Sequence, residues 1–594
     1  MSKYNGWHFS PLNNRGMLMP RIRKNEEFKQ GPRGIRPSYP PVDKERIDPE
    51  HPYFQVNTGL TEKTIEINGE ERRYAIYVPQ GMITKGMAAV VFPESGVSGR
   101  EFIESSNWKE LSEKNHMAYF IFEAEKWNIE NVEKEFDFAH TVIDKEFQQR
   151  LTVDVCESYF YPIGLGDGAY VCTAFALTYS ATFPSFAADG NCAVDPQLFE
   201  VLRSLPSDGI DTWKKNEIAM PGFLIDRSGN AGETVAYMKE ILRAKEEGLH
   251  NAYGEVSLEK PRRGAYFINE QPVAQSWFAT DESVNSFTRE ELNEAMIGFV
   301  KRFSRWGTFG NQSERERRVY SDTCIRQERE IDGRKRFWDV YVPSCYRKEE
   351  DRKYPLVVAI HGMSCNADYF EMTSDWHRLA EERGFFVAFA SAYPHNDGLC
   401  LFPVPHWALG SINSNDLTDE ELHYFEVMLD SLETEYPIDT TRVYAVGHSN
   451  GSQMTQTLAR RMPERFAAFG PTGSLAGWDP EKVPDVPENV GIPIWFMMGQ
   501  YDIVGADTSE GSIARATLNS YCRANNMEPA YDNWYDNGRY HTLVMYDREH
   551  VPMVRYTQIQ GAPHTYTPEM AQLTWDTFLC HFSRDENGKT VYKG

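Results

Sequence analysis

Ser449 is the residue of this chain with the clearest chemical potential, because it lies between two glycines in the pentapeptide Gly-His-Ser-Asn-Gly at 447–451. An apolar, β-prone run (442–446) precedes the pentapeptide, and a helical pattern (452–461) follows it. Such a strand-to-helix corner is a nucleophile elbow, in which the turn is so tight that the positions two residues before and after the serine must be small. The turn exposes the serine hydroxyl above the sheet. The pattern therefore predicts that Ser449 is the nucleophile of an acyl-transfer reaction.

An elbow serine needs a general base and an acid that orients the base, and the three follow along the chain in the order Ser, Asp or Glu, His. Asp502 follows the apolar predicted strand Ile492–Gly499, so we expect its carboxylate to accept a hydrogen bond from the imidazole. Asp507 is an alternative acid on the same loop. His564 precedes the last predicted helix, which has Thr567-Pro568 as its start signal. We expect His564 to take the serine proton and return it to the leaving group.

An acyl-transfer site also needs two backbone N–H groups that stabilise the oxyanion. One is expected from Asn450, the residue after the nucleophile. The other is expected from the loop after the first core strand, Leu356–Ile360, where His361-Gly362 leads to the N–H of Met363. One such donor can contribute about 3 kcal/mol of transition-state stabilisation.

The loop at 393–407 is expected above the carboxyl edge of the sheet, where α/β folds bind ligands. Its aromatic residues could form a wall for the acyl or aryl group, although ordinary loop packing explains each of them equally well. The residues expected to contact substrate are His361, His448, Phe402, Trp407, Trp478 and Tyr501. His395 and His406 have no carboxylate at ligand spacing, so we expect no metal and no cofactor.

Length and composition exclude several classes of protein. A chain of 594 residues is too long for one ordinary core, and its net charge of −25 disfavours binding to nucleic acid or to anionic membranes. The sequence contains no run of eighteen or more apolar residues, so no transmembrane helix is predicted. Met1–His8 has no apolar signal region, so a cytoplasmic location is expected. The nine cysteines are scattered and form no C-x-x-C pair, which favours reduced thiols over a disulfide framework or a zinc site.

Residues 1–55 are rich in Pro, Gly and charge, and they form the first of three predicted segments. The first fifty residues contain ten Lys or Arg and six Asp or Glu, an excess of four positive charges on an acidic protein. This segment is predicted to be an extended arm that is disordered or lies on an acidic surface, either its own or that of a partner subunit.

The rest of the chain is predicted to be an internal duplication, with domains at 56–310 and 318–594. Apolar strand runs alternate with helical patterns in both halves, which predicts a mainly parallel sheet flanked by helices in each. The recurring segments are Ile67–Glu70 with Ile331–Arg334, Tyr74–Pro79 with Trp338–Pro343, Asn107–Leu111 with Asp375–Leu379, and Phe299–Arg305 with Phe578–Arg584.

The second copy resembles the polyhydroxybutyrate-depolymerase and feruloyl-esterase-like branch of the α/β-hydrolases over about residues 325–585. The segments that carry the resemblance are Asp339–Pro343, Pro355–Gly362, Trp376–Phe385, Ile438–Tyr444 with the elbow, and Phe466–Ala468. The resemblance implies two tandem α/β-hydrolase domains, and Ser449, Asp502 and His564 match the family's triad positions. Members often carry a second glycine after the elbow, where this chain has Ser452.

Alignment of the two copies predicts that the first copy has lost the reacting groups. Gly166 replaces Ser449, Asn230 lies opposite Asp502, and Asn285 lies opposite His564. Glu94-Ser95 lies opposite His361-Gly362. The first domain is therefore predicted to be a non-catalytic α/β-hydrolase fold that packs on the second, walls its pocket or supplies a surface for homo-oligomer formation.

These observations favour a serine esterase that acts through an acyl-enzyme on a small or oligomeric ester, such as a hydroxyalkanoate, aryl or acetyl ester. The same triad cleaves amides and thioesters, so a peptidase or a thioesterase is an alternative. A non-catalytic binding or scaffold protein is an alternative of another class, and the intact order of the three triad residues disfavours it.

Overall fold

A computed structural model describes most of the chain outside its first 53 residues. The described residues are 54–55, 57–149, 152–180, 182–205, 215–245, 248–259, 274–304, 315–316, 324–348, 351–395, 404–409, 415–475, 490–500, 502, 506–560, 562, 564, 566 and 568–594. The chain forms two compact units that divide between Arg318 and Val319. Apart from its last two residues, the arm expected at 1–55 lies outside the described residues.

The first unit is built on a mixed sheet that has ten strands within the described residues. Its strand order is β1-β2-β4-β3-β5-β6-β7-β10-β9-β8, and the six strands from β4 to β10 run parallel. The strands are β1 (Gly59–Ile67), β2 (Glu70–Val78), β3 (Gly86–Phe92), β4 (Met117–Phe122), β5 (Val155–Gly166), β6 (Phe186–Gly190), β7 (Gly222–Asp226), β8 (Leu249–His250), β9 (Glu255–Leu258) and β10 (Gln275–Thr280), followed by the separate pair β11 (Phe303–Ser304) and β12 (Arg315–Glu316).

Helices accompany this sheet, and α4 is the one that follows the elbow position. All eleven residues of α4 are buried, in keeping with the continuous apolar sequence GAYVCTAFALT. The helices are α1 (Gly99–Glu104), α2 (Trp108–Asn115), α3 (Glu133–Gln149), α4 (Gly168–Thr178), α5 (Pro196–Ser204), α6 (Gly232–Leu242) and α7 (Arg289–Val300).

The second unit has a sheet of the same kind, again with ten strands in the part of the chain that is described. Its order is β13-β14-β16-β15-β19-β20-β21-β24-β23-β22. The strands of the second unit are β13 (Cys324–Ile331), β14 (Arg334–Tyr341), β15 (Tyr354–Ile360), β16 (Phe386–Ala390), β17 (Pro394–His395), β18 (Val404–Pro405), β19 (Ile438–His448), β20 (Ala468–Thr472), β21 (Ile494–Gly499), β22 (Trp534–Asn537), β23 (Tyr540–Met545), β24 (Val554–Ile559), β25 (Phe582–Arg584) and β26 (Thr590–Tyr592).

The helices of the second unit are α8 (Ala367–Ser374), α9 (Trp376–Arg383), α10 (Asn415–Glu435), α11 (Asn450–Arg461), α12 (Ile513–Ala524) and α13 (Pro568–Thr577). The central strands β15, β16, β20 and β21 are buried along their whole length, as expected for parallel strands covered on both faces. Each unit is thus an α/β fold with a mixed sheet flanked by helices, in agreement with the predicted fold class.

Counted in chain order, the two sheets have the same strand order, and several side-chain contacts recur at matching positions. A buried or half-buried Arg–Glu pair joins the second strand to the long helix in both units, and the guanidinium also lies over an aromatic ring. The matching contacts are Arg72–Glu135 (2.6 Å) and Arg336–Glu421 (2.7 Å), Arg72 over Phe138 (4.2 Å) and Arg336 over Tyr424 (4.0 Å), the Tyr161 hydroxyl to Phe303 O and the Tyr444 hydroxyl to Phe582 O (2.8 Å each), and the Trp127 indole N–H to Pro93 O (2.7 Å) and the Trp407 indole N–H to His361 O (2.8 Å).

The strand order determines where a site can form in the second unit. From β15 the chain continues to β16 on one side, whereas from β19 it continues to β20 and β21 on the other side. This reversal of strand order between β15 and β19 places a crevice outside their carboxyl ends. The loop after β15 and the turn after β19 meet at this crevice, and the segments after β21 and β24 reach the same edge of the sheet. None of the helices in the described residues has the length and apolar content that crossing a bilayer requires.

Candidate active site

Ser449 connects β19 directly to α11 and has a φ of 57° and a ψ of −119°. Its N–H donates a hydrogen bond to the carbonyl of Thr472 on the neighbouring strand (2.9 Å). A Cβ atom on Gly447 would lie 2.3 Å from the carbonyl oxygen of Gly451, and one on Gly451 would lie 2.2 Å from that of Ile360. The backbone therefore leaves no room for side chains at either position, as the tight turn predicts.

Ser449, His564 and Asp502 form one hydrogen-bonded row. The Nε2 atom of His564 lies 2.8 Å from Ser449 Oγ, and its Nδ1 atom lies 2.9 Å from Asp502 Oδ1. Because the ionised carboxylate only accepts, Nδ1 donates to Asp502 and Nε2 is left to accept from the serine hydroxyl. Burial lowers the pKa of His564, but the charge and the hydrogen bond of Asp502 raise it by more, so the pKa lies above its ordinary value.

The alternative acid, Asp507, has a different role in the structure. It is exposed, and its carboxylate accepts hydrogen bonds from the N–H (2.9 Å) and the hydroxyl of Ser509. Asp502 is buried, with 2% of its surface exposed, directly behind His564. Asp507 is thus a turn residue, and the histidine contacts Asp502.

The two expected oxyanion donors come from separate loops that meet at Ser449. Asn450 is the first residue of α11, and Met363 lies in the turn after β15. Between them, Gly362 allows close approach, since a Cβ atom on it would lie 3.2 Å from Ser449 Cβ. Within the described residues, neither N–H donates a hydrogen bond to another part of the protein. Both are therefore available to a developing oxyanion.

His361 determines the orientation of the Gly362–Met363 peptide. Its Nε2 atom accepts from the N–H of Ala392 (2.9 Å), so the proton is on Nδ1, which donates to the carbonyl of Gly362 (2.6 Å). The C=O and N–H of a trans peptide point in opposite directions, so the Met363 N–H is directed away from His361. Burial lowers the pKa of His361 to about 4, which keeps the ring neutral.

Trp407 connects the two oxyanion loops. Its indole N–H donates to the carbonyl of His361 (2.8 Å), and its backbone N–H donates to Asn450 Oδ1 (2.7 Å). The Asn450 amide nitrogen donates in return to the carbonyl of Trp407 (3.3 Å). His361 and Trp407 are fully buried, so both support the loops from behind, contrary to the expectation that they contact substrate.

His448 packs beside the base. Its ring centroid lies 4.8 Å from that of His564 and 5.9 Å from that of Tyr566. Burial, and then the charge of His564, lower the pKa of His448, which keeps it neutral next to the base. The other residues expected to contact substrate, Phe402, Trp478 and Tyr501, lie outside the described residues.

Sequence reasoning missed the pairing of the Asn450 side chain with the Trp407 backbone. The two residues are 43 positions apart, and a backbone partner leaves no trace in residue type. The structure also gives a contact for Ser452, the residue that follows the second glycine of the elbow. Its hydroxyl is buried and donates to the carbonyl of Ser474 (2.8 Å).

The corresponding edge of the first unit differs at every reacting position. Gly166 has the φ of the elbow residue, 58°, and bears no hydroxyl. Gly164 pairs with Phe92 as Gly447 pairs with Ile360. The residues that follow these strands therefore correspond as Pro93 with His361, Glu94 with Gly362, and Ser95 with Met363. This register corrects the sequence alignment by one residue, because hydrogen-bonded pairing defines the match where the motif itself has diverged.

The first unit also fills the position of its oxyanion donor. The N–H of Ser95 donates to Asp167 Oδ1 (2.8 Å), and the Ser95 hydroxyl donates to the other carboxylate oxygen. Asp167 follows the elbow glycine as Asn450 follows Ser449. Asn230, aligned with Asp502, is bound in its own turn through the carbonyl and hydroxyl of Ser228 (3.0 and 3.1 Å).

The arrangement in the second unit combines a nucleophile, a base, an oriented acid and two backbone donors. This combination suits acyl transfer, since Ser449, His564 and Asp502 lie within hydrogen-bond distance of one another in the required order. The described residues contain no group of three or more His, Cys, Asp or Glu side chains that could hold a metal ion.

Part of the second unit, which includes Ser449 and Asp502, matches a described protein family. Residues 330–527 match the family model of putative esterases. The chain is 23% identical over 279 residues to the bifunctional acetylxylan esterase/xylanase XynS20E of Neocallimastix patriciarum. This alignment covers 46% of this chain and 38% of that protein. It is 31% identical over 119 residues to poly(3-hydroxyalkanoate) depolymerase C of Paucimonas lemoignei, covering 20% of this chain and 27% of that protein. The chain thus spans less than half the length of these relatives.

Among solved structures, the acetyl xylan esterase from Aspergillus awamori is similar with a TM-score of 0.32 and 16% identity, over 42% of this chain and 97% of that one. The feruloyl esterase module of Clostridium thermocellum is similar with a TM-score of 0.29 and 13% identity, over 43% and 86% of the two chains. The match of residues 330–527 to the esterase family confirms the resemblance predicted from the sequence for about residues 325–585.

Proposed function

We propose that this protein is a serine carboxylic-ester hydrolase that works through an acyl-enzyme at Ser449. The observation that carries the proposal is the position of His564, which bridges Ser449 Oγ (2.8 Å) and Asp502 Oδ1 (2.9 Å). The match of residues 330–527 to the esterase family supports it.

In the proposed reaction, Ser449 Oγ attacks the ester carbonyl while His564 Nε2 takes its proton. The N–H groups of Asn450 and Met363 stabilise the tetrahedral oxyanion, each by about 3 kcal/mol. Asp502 stabilises the imidazolium, which then protonates the departing alcohol. Water, activated by the same histidine, attacks the acyl-enzyme and releases the acid.

We further propose that the substrate is a small or oligomeric ester with a short acyl group. The relatives that match include acetylxylan esterases and a poly(3-hydroxyalkanoate) depolymerase, which favours acetyl and short hydroxyacyl esters. An aryl ester is the remaining member of this class, supported by the esterase family match alone.

We propose that the first unit is a non-catalytic copy of the second, and that it serves as a scaffold or an oligomer interface. The shared strand order and the matching Arg–Glu, Tyr and Trp contacts support a common origin. Gly166 in place of the serine and Asp167 on the N–H of Ser95 support the loss of activity.

Hydrolysis of p-nitrophenyl acetate by the full chain and by Ser449→Ala tests the proposal. We expect turnover by the native protein, loss of turnover in the variant, and labelling of Ser449 by a fluorophosphonate probe. Equal turnover by both proteins would exclude Ser449 as the nucleophile. A panel of matched ester, thioester and anilide substrates separates an esterase from a thioesterase or a peptidase. Absence of both turnover and labelling would favour a binding or scaffold protein.

A further inference from the structure

The Asn450 side chain makes two hydrogen bonds of opposite sense with one residue. Its Oδ1 atom accepts from the N–H of Trp407 (2.7 Å), and its Nδ2 atom donates to the carbonyl of Trp407 (3.3 Å). A backbone that presents one donor and one acceptor is satisfied by a side-chain amide and not by a carboxylate, which only accepts. The side chain of Asn450 is buried, so these bonds form away from bulk water.

The first unit shows what a carboxylate does at the same position. Asp167 accepts the backbone N–H of Ser95 (2.8 Å) as well as its hydroxyl. Ser95 corresponds to Met363 in the strand register, and Met363 is the expected oxyanion donor. The carboxylate of the first unit thus occupies the donor that an ester oxyanion would need.

We propose that the Asn450 side chain is a positioning group that keeps the oxyanion hole of the second unit empty. This inference rests on the proposed function, and it concerns the side chain of Asn450, in addition to the N–H that its backbone contributes. The amide is held by its two hydrogen bonds to the Trp407 backbone. A carboxylate at this position turns to the Met363 N–H and closes the hole.

The physical reason lies in the second bond to Trp407. In an Asn450→Asp variant, Oδ2 would face the carbonyl oxygen of Trp407 at the present 3.3 Å, with no proton between two acceptors. The Met363 N–H is a donor without an acceptor in the described residues, so it attracts the displaced carboxylate. A negative charge bound there opposes the oxyanion by like-charge repulsion.

Three variants test this proposal kinetically. Asn450→Asp preserves the shape of the side chain, and we expect its kcat for p-nitrophenyl acetate to fall by about 100-fold or more with little change in KM, as for loss of an oxyanion donor. Asn450→Ala removes the bonds to Trp407 without adding charge, and we expect a smaller loss. Asp167→Asn makes the reverse change in the first unit, and we expect unchanged turnover. A purely structural role predicts the opposite order, with Ala worse than the isosteric Asp.

The pH dependence adds a second criterion. Protonation of the new carboxyl removes its charge. The ratio of native turnover to Asn450→Asp turnover should therefore fall as the pH is lowered from about 8 to about 5. A ratio that stays constant over this range, or an Ala variant that loses more activity than Asp, would overturn the proposal.

A crystal structure of Asn450→Asp tests the geometry without reference to activity. We expect a carboxylate oxygen within hydrogen-bond distance of the Met363 N–H. A carboxylate that keeps its bond to the Trp407 N–H and leaves Met363 open would refute the proposal. If the native protein hydrolyses no ester, the proposed function fails, and this structure still decides whether the amide keeps the hole open.

Discussion

The Glu94 side chain stands over Gly166 in the first unit, in the space above the elbow. A Cβ atom on Gly166 would lie 2.9 Å from Glu94 Cγ and 3.0 Å from Glu94 Cβ. In the second unit the residue that corresponds to Glu94 is Gly362, and Ser449 fills the space that its missing side chain leaves. The larger side chain thus stands on opposite positions in the two units, so a serine at position 166 would meet Glu94.

We expect Gly166→Ser to restore no ester hydrolysis in a Ser449→Ala background. The new side chain meets Glu94, and the positions of the acid and the base hold Asn230 and Asn285. The measurement is p-nitrophenyl acetate turnover by the double variant. The triple variant that also carries Glu94→Gly is the control for steric exclusion, and it too should be inactive. Activity in either protein would contradict the proposal that the first unit is non-catalytic.

The kcat/KM of the native protein should rise with pH through an inflection above 6.5, the ordinary pKa of a histidine. His564 must be neutral to accept the serine proton, and Asp502 raises its pKa, so activity is lost as pH falls through that raised value. A pH–rate profile measures the inflection. An inflection at or below 6.5 would mean that Asp502 does not act on His564 as the geometry implies.

Asp502→Asn should lower kcat by about 10⁴-fold, because an amide no longer holds the Nδ1–H tautomer of His564. It should also move the inflection of any residual activity to lower pH, since burial then acts on the pKa without the opposing carboxylate. Asp507→Asn is the matched control on the same loop, and it should leave kcat unchanged because Asp507 contacts Ser509. Equal losses in the two variants would contradict the assignment of Asp502.

Glu421→Gln should destabilise the protein by about 3 kcal/mol, because it removes the carboxylate charge that lies 2.7 Å from the buried Arg336 guanidinium. The exposed fractions of the two side chains are 2% for Arg336 and 1% for Glu421. The neighbouring pair Arg334–Glu420 is half-exposed, so Glu420→Gln should cost about 1 kcal/mol or less. Scanning calorimetry of the full chain gives both values as shifts in Tm. Similar Tm shifts in the two variants would show that burial does not determine how much each Arg–Glu pair stabilises the protein.

The sequence predicted the central strands of the second unit well and its edge strands not at all. β15 and β21 are continuous apolar runs, which is the pattern of a parallel strand covered on both faces. β22 has the exposed sequence WYDN, so no apolar run marks it, and its place in the sheet depends on pairing with β23. An edge strand of this kind forms because a neighbouring strand offers backbone hydrogen bonds. The sequence of the edge segment alone does not reveal that pairing.

The same division applies to the site. Ser449, Asp502 and His564 could be predicted because their chemistry restricts residue type and chain order, and the structure brings the three together. The roles of His361 and Trp407 could not, because their side chains donate to backbone carbonyls, those of Gly362 and His361 respectively. Every residue type offers the same backbone N–H and C=O groups. Which of them a distant side chain contacts therefore depends on the folded geometry and cannot be read from residue type.

The elbow of the second unit has a consequence for stability as well as for reactivity. Ser449 holds a φ of 57°, which costs a residue with a Cβ atom about 1–3 kcal/mol, whereas Gly166 adopts 58° without that penalty. Ser449→Gly should therefore raise Tm while it abolishes turnover, and Ser449→Ala should abolish turnover without the same gain. If Gly proves no more stable than Ala, the backbone at this turn is relaxed. If Gly is more stable than Ala, the serine that reaction requires at position 449 costs stability, a cost that Gly166 avoids in the first unit.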